Sequence, residues 1–189
     1  MSLVVVTKGR PVDEVRPLLD AGQEALGESK VQEALPKIEA LGPGPQWHLV
    51  GHLQRNKVKF CRPFSLIHSV DSARLARTLS DWAERNGHVF DILVEINLSG
   101  EASKHGASAV EAGALVDQAR RLPGLEVRGL MTMAPMAADP AEVRPIFQRL
   151  ARLRDTFRVV ECSMGMSDDF EVAIEEGATI VRIGRAIFE

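Results

Sequence analysis

The sequence predicts a closed (β/α)8 barrel, an α/β fold in a single domain. Eight short apolar segments alternate with seven longer amphipathic ones almost from end to end, the pattern of parallel strands joined by crossover helices. Spread over 189 residues, eight repeats take about 24 residues each, enough for a strand, a helix and their turns. The strand interiors are aliphatic, whereas the residues that follow them are mostly polar or glycine. An open doubly wound sheet is the alternative, but no glycine-rich turn follows the first strand as a dinucleotide site requires. No linker-like or low-complexity stretch interrupts the repeat, so residues 1–189 read as one domain.

The elements follow in order. The run Leu3-Val4-Val5-Val6-Thr7 makes the first strand (3–7), and an amphipathic helix at 12–21 stops at Gly22. A strand at 24–27 precedes a helix at 31–41; a strand at 46–50 precedes a helix at 54–61. The fourth strand, 66–69, leads through Asp71-Ser72, a good helix cap, into a helix over 72–86 that Gly87 ends. The fifth, 92–97, alternates in part and breaks at Leu98-Ser99-Gly100, opening a polar loop that runs to Gly106. The helix at 109–121 carries an ordinary core stripe and stops at Pro123-Gly124. Strands at 126–131, 159–163 and 179–182 alternate with helices at 140–156 and 168–176, the latter capped by Ser167-Asp168-Asp169 and ended by Gly177.

Composition narrows the functional classes. The chain is 45% hydrophobic and 26% charged with a formal net charge of −3, so it holds a full core and offers no basic field for nucleic acid or an anionic membrane. No apolar run approaches the ~18 residues that span a bilayer, and no secretion signal is legible, which points to the cytoplasm. Cys61 and Cys162 have no metal-ligand spacing and read as free thiols; His48 and His52 have no companions spaced for zinc, so no metal site is expected. There are no tyrosines, which rules out a phenol as acid, base or ring stacker within the chain.

In such a barrel chemistry gathers at the C-terminal ends of the strands. Lys8 leaves the first, all-aliphatic strand. In a partly desolvated pocket its amine would be a nucleophile able to form an imine; the alternative is an ordinary solvated lysine. The turn Ser163-Met164-Gly165-Met166-Ser167-Asp168-Asp169 joins a strand to a helix start, where free backbone N–H groups favour an anion, or where Ser167 or Asp168 simply caps the helix. The last strand ends in Arg182, then Gly184 and Arg185. Phosphate sites in these barrels often follow strands seven and eight, so the two turns predict one here, with a rim salt bridge as the other reading of Arg182. The densest polar stretch runs from Trp47-His48 through His52 to Gln54, Asn56 and Lys57, and Asn97 stands where a strand end aims it inward.

These residues resemble a known family. Val6-Thr7-Lys8, Gly27-Glu28-Ser29-Lys30-Val31-Gln32-Glu33, the stretch from Trp47 to Lys57, His68-Ser69-Val70-Asp71, Gly129-Leu130-Met131, Ser163-Met164-Gly165-Met166-Ser167-Asp168-Asp169 and Val181-Arg182-Ile183-Gly184 occur in the order seen in the YggS/PROSC family, the pyridoxal phosphate homeostasis proteins. The resemblance covers nearly the whole chain. It implies a barrel like the N-terminal domain of alanine racemase, holding pyridoxal 5′-phosphate as an imine on Lys8. It assigns the phosphate to Ser167 and the backbone around Gly184 and Arg185, and the pyridine nitrogen to Arg182, with Asn97, His48, Met131 and Ser163 around the ring. The chain departs from the family pattern at Ser29, where asparagine is usual, and at Gly9-Arg10, where Thr-Lys is common. Members also usually carry helices before the first strand, which here begins at Leu3, so a less covered barrel bottom is expected.

The cofactor the resemblance implies works as an electron sink when its pyridine nitrogen is protonated, and a cationic arginine there opposes that. The related racemase also relies on a tyrosine base and a second domain, and His48 is the one plausible substitute here. The expected role is therefore a non-catalytic, monomeric carrier that holds pyridoxal 5′-phosphate reversibly for homeostasis and possible delivery to apo-enzymes. A racemase acting on amino acids is the alternative, and a phosphate-binding barrel with no imine is a third reading.

Overall fold

A computed structural model describes residues 1–101 and 105–189. Among the described residues nine strands and seven α-helices follow one another: β1 Ser2–Val6, α1 Val12–Asp20, β2 Ala25–Glu28, α2 Val31–Leu41, β3 Gln46–Leu49, β4 Leu66–Val70, α3 Ala73–Asn86, β5 Phe90–Asn97, β6 Ala107–Ser108, α4 Ala112–Arg120, β7 Leu125–Met131, α5 Arg144–Phe157, β8 Glu161–Ser163, α6 Phe170–Glu175, β9 Ile180–Ile183 and α7 Arg185–Phe188. The strand order β4-β3-β2-β1-β9-β8-β7-β5 closes through β4–β5, and every pairing is parallel. Eight strands thus form the predicted (β/α)8 barrel, and the two-residue β6 adds itself outside β5.

Period-two alternation sorts each strand's side chains between two cores. Val4, Val50, Leu66, Leu93, Met131 and Ile180 fill the barrel itself. Val5, Leu26, Trp47, Leu49, Ile67 and Ile92 belong to the layer under the helices on one side, and Val94, Leu130, Cys162 and Val181 to its counterpart on the other. Gly129 is required by strand approach: a Cβ there would lie 2.1 Å from the Glu161 carbonyl oxygen of neighbouring β8.

Four expectations shift. The 54–61 segment is a 3-10 helix, Arg55–Phe60. The expected helix over 140–156 splits into a 3-10 turn, Pro140–Val143, and α5, because Asp139 accepts the Ala141 N–H at 2.9 Å and the chain then re-enters with Pro145 in its first turn. β6 and α7 were too short to carry a periodic signal. Within the polar loop 97–106, residues 102–104 lie outside the described residues. Both cysteines are free, as expected, and both are buried. Among the described residues no helix is long and apolar enough to cross a membrane.

Ser72 caps α3 as predicted, its hydroxyl accepting the Leu75 N–H at 3.3 Å, and Gly87 closes the helix in the left-handed conformation at φ 57°. Ser72→Ala is expected to cost about 1 kcal/mol in urea unfolding, the usual worth of such a cap. A loss under a few tenths would mean that solvent already serves that N–H.

Candidate functional site

Side chains that point into the barrel are apolar at its waist and polar along one line across it. His48 on β3 meets His68 on β4, Nδ1 to Nε2 at 3.0 Å; His68 Nδ1 lies 2.9 Å from the Ser163 hydroxyl on β8. Arg182 on β9 donates to that hydroxyl at 2.6 Å and to the Thr132 carbonyl at 3.0 Å, while Thr132 donates to the Ile96 carbonyl at 2.8 Å. A guanidinium only donates, so Ser163 accepts from Arg182 and has its own proton to give to His68 Nδ1. His68 then donates from Nε2 to His48 Nδ1, which makes every link consistent. His48 also borders a cleft of about 500 Å³ at the N-terminal ends of the strands, lined by Ser2, Gln46 and Ser65 among others. The chain of bonds therefore runs from the barrel's bottom to Arg182.

Burial sets the charges along this line. It pushes His48 down to about 4 and His68 well below the ordinary imidazole value, the latter helped by the His48 and Arg182 charges. Both rings are neutral at pH 7. Arg182, 4% exposed, is brought down to about 10 by desolvation, against the pull of Glu95 and Asp169, and stays a cation. Glu95, buried on β5, is pushed up to about 7 by desolvation first and Asp71 second, with Arg182 opposing.

Lys8 lies in the turn after β1 and is exposed, which matches the solvated one of the two readings of its surroundings; the buried polar groups are its neighbours. Thr7 donates to Glu28 Oε1 at 2.7 Å. Lys37, reaching in from α2, donates to the Thr7 carbonyl and to Glu28 Oε1, each at 2.5 Å. This buried triad fixes the backbone from which Lys8 emerges. Parallel pairing of β1 with β9, Val5 opposite Ile183, then sets that turn beside the Gly184 turn, where a Cβ would come 3.1 Å from the Val6 carbonyl.

The two turns predicted to hold an anion are tied together. Ser167 accepts the Ala186 N–H at 3.3 Å, and Arg185 pairs with Asp168. Arg185 thus spends its charge on a carboxylate and offers its backbone rather than its side chain. Asp169 accepts the Met166 N–H at 2.6 Å and does not cap α6 through its side chain, so the expected cap is a tighter turn. Met131 is fully buried in the barrel interior. Asn97 departs from its expected inward aim: its amide closes its own loop, accepting from Ser99 Oγ and the Gly100 N–H at 3.1 Å each and donating to the Glu101 carbonyl at 2.9 Å.

The structure thus brings His48, Ser163 and Arg182 into one bonded line and Lys8, Ser167, Gly184 and Arg185 onto one rim, with Met131 between strands and Asn97 apart. Sequence reasoning missed His68, Thr132, Glu95, Glu28 and Lys37 as parts of this assembly. Glu95 had a signal, since Leu93, Glu95 and Asn97 share one face of β5 by period two. Lys37 had none, because a lysine in a helix reads as solvent-facing.

The family described as alanine racemase, N-terminal domain, matches residues 3–189. A pyridoxal phosphate homeostasis protein of Aquifex aeolicus is 42% identical over 194 residues, spanning 98% of this chain and 85% of the relative. One of the same name from Deinococcus radiodurans is 41% identical over 187 residues, 98% of this chain and 88% of its own. PipY of Synechococcus elongatus superimposes with a TM-score of 0.93 without pyridoxal phosphate and 0.91 with it bound, at 35% identity over 100% of this chain and 93% or 92% of PipY.

Proposed function

Since this chain belongs to the pyridoxal phosphate homeostasis proteins, within the alanine racemase N-terminal domain family, we propose that it binds pyridoxal 5′-phosphate and holds it reversibly on Lys8 rather than turning over a substrate. The observation that carries the reading is the adjacency of β1 and β9: it sets the exposed Lys8 amine beside two linked turns suited to a phosphate, above a buried cation. That donor set fits a phosphorylated aromatic aldehyde. An amine meets the aldehyde, a hydroxyl and backbone N–H groups meet the phosphate, and a guanidinium meets an unprotonated ring nitrogen.

When bound, the cofactor supplies an electrophilic carbonyl and an electron-withdrawing ring. Lys8 would hold the cofactor through its amine; water would return the free aldehyde, whereas an incoming amine would take over the carbonyl and release the Lys8 amine. Ser167 and the backbone at Gly184 and Arg185 orient the phosphate. Arg182, held by Ser163 and Thr132, would stand toward the ring nitrogen and disfavour a proton on it, which would weaken the sink that carbanion chemistry needs. His48 and Met131 bound the site below, and Asn97 supports it through the shape of its loop. The chain has no tyrosine to serve as an opposing base, which supports a carrier in cofactor homeostasis over an enzyme; a cytoplasmic, monomeric chain that passes its cargo to apo-enzymes is the form of that role we propose.

The test is absorbance titration followed by borohydride reduction and peptide mapping. One equivalent of cofactor should be fixed at Lys8, and Lys8→Ala should lose both the adduct and the near-visible band. Undiminished cofactor affinity in Lys8→Ala would sink the lysine assignment. Enzymatic α-proton exchange into amino acids from deuterated water, abolished in Lys8→Ala, would establish the racemase instead.

A further inference from the structure

Three successive strand-end loops on the same face of the barrel converge away from Lys8. His52 follows β3, Asp71 follows β4 and His105 lies on the loop after β5. One possible ligand atom from each falls within 4.8 Å of the others. His52 Nδ1 is 3.3 Å from Asp71 Oδ2, and the His52 and His105 rings stack with centroids 3.9 Å apart and planes 12° from parallel. The three side chains line a cavity of about 710 Å³ shared with Arg55, Asn56 and Gly106.

The position of His105 is built rather than incidental. β6 returns the loop onto β5 with Ala107 opposite Ile96 and Ser108 opposite Asn97. Gly106, at φ 114°, lies so close that a Cβ would come 2.6 Å from the Asn97 backbone nitrogen, so only glycine allows the approach that sets His105 over His52.

We propose that His52, Asp71 and His105 form a binding site for a divalent transition-metal ion of the zinc, cobalt or nickel class. Two imidazoles and one carboxylate suit these ions, and three protein ligands leave coordination positions open toward the cavity for water or an external ligand. Hard cations such as magnesium prefer all-oxygen shells and are excluded by the same donor set. Near-parallel rings cannot both aim a lone pair at one ion, so capture turns one ring about its Cβ–Cγ bond. That torsion is broad, and both rings are exposed, so the rotation meets little resistance. Lys8 is not among the residues that line this cavity.

Cobalt(II) titration of the chelator-treated full chain, followed by its visible d–d absorption, and calorimetry with zinc test this directly. One equivalent should bind and be displaced by zinc, while excess magnesium leaves it in place. His52→Ala and His105→Ala, both at exposed positions, should each weaken binding by about tenfold or more, since even outer partners of a metal ligand cost that much, and Asp71→Asn should weaken it as well. No stoichiometric binding, binding that survives both histidine substitutions, or displacement by magnesium overturns the assignment. The cluster would then be only a histidine–aspartate contact with a stacked neighbour.

Discussion

Lys37→Met lowers the unfolding free energy by about 3–5 kcal/mol, because it strands a charge that the fold has removed from water. Glu28 is fully buried, and one of its carboxylate oxygens already lacks a partner. The other takes both the Thr7 hydroxyl and the Lys37 ammonium. Methionine keeps the stem of Lys37 in place and removes only the charge and its donors, so packing loss contributes little. Adding Glu28→Gln should recover most of the loss, since a neutral amide needs no counter-charge, and Thr7 can donate to its oxygen. Guanidinium unfolding of the two single variants and the double variant measures the coupling. A single-variant loss below about 1 kcal/mol would mean that the pair does no more than a surface ion pair. The effect reaches the site as well: Lys37 also holds the Thr7 carbonyl, one residue before Lys8. The variant should therefore retain cofactor less well even where it stays folded.

That triad marks where sequence reading stops. The barrel was legible because its signals are local: aliphatic runs, Ser72 as a cap, glycines at helix ends, and a repeat of constant length. Lys8, Ser167, Gly184 and Arg182 stood out as candidates because a barrel exposes chemistry at strand ends, and the family resemblance proposed their roles. What stayed hidden depends on pairings between distant strands. His68 bonds to Ser163 across 95 residues, and Lys37 finds Thr7 across 30. Alternation alone says that a residue faces inward, not which inward residue it meets. Asn97 shows the converse: its strand position aimed it inward, but asparagine hydrogen-bonds readily to nearby backbone, and the loop claimed its amide. Lys8 itself is exposed, so its chemistry depends on what lies beside it rather than on desolvation of its own side chain.

The chain without ligand is expected to lose about 2 kcal/mol of stability between pH 6.5 and pH 4.5. His48 falls from the ordinary 6.5 to about 4 through burial, and His68 falls further in the same direction. In this window the unfolded chain takes up protons at both imidazoles and the native barrel takes up almost none. Acid therefore favours unfolding, by up to about 1.4 kcal/mol per pH unit for each ring. Glu95 works against them. Its carboxyl rises from the ordinary 4.5 to about 7, so in the same window the native state holds a proton that the unfolded chain has released. That stabilises the native state as pH falls, at about 1.4 kcal/mol per unit, and cancels one of the two histidines. His88 is lowered as well and Asp169 raised, so these two further groups oppose each other, and the balance of His48 and His68 against Glu95 leaves a net loss on acidification. The balance makes the variant more informative than the parent: Glu95→Gln removes the opposing proton and should steepen the drop to about 4 kcal/mol over the same two units. Urea unfolding of both chains at pH 6.5 and 4.5 reads the difference. Equal stability at the two pH values in Glu95→Gln would mean that the imidazoles accept protons inside the barrel. The bonded line from His48 to Arg182 would then carry a second positive charge, and Arg182 would no longer be the one cation beneath the proposed ring.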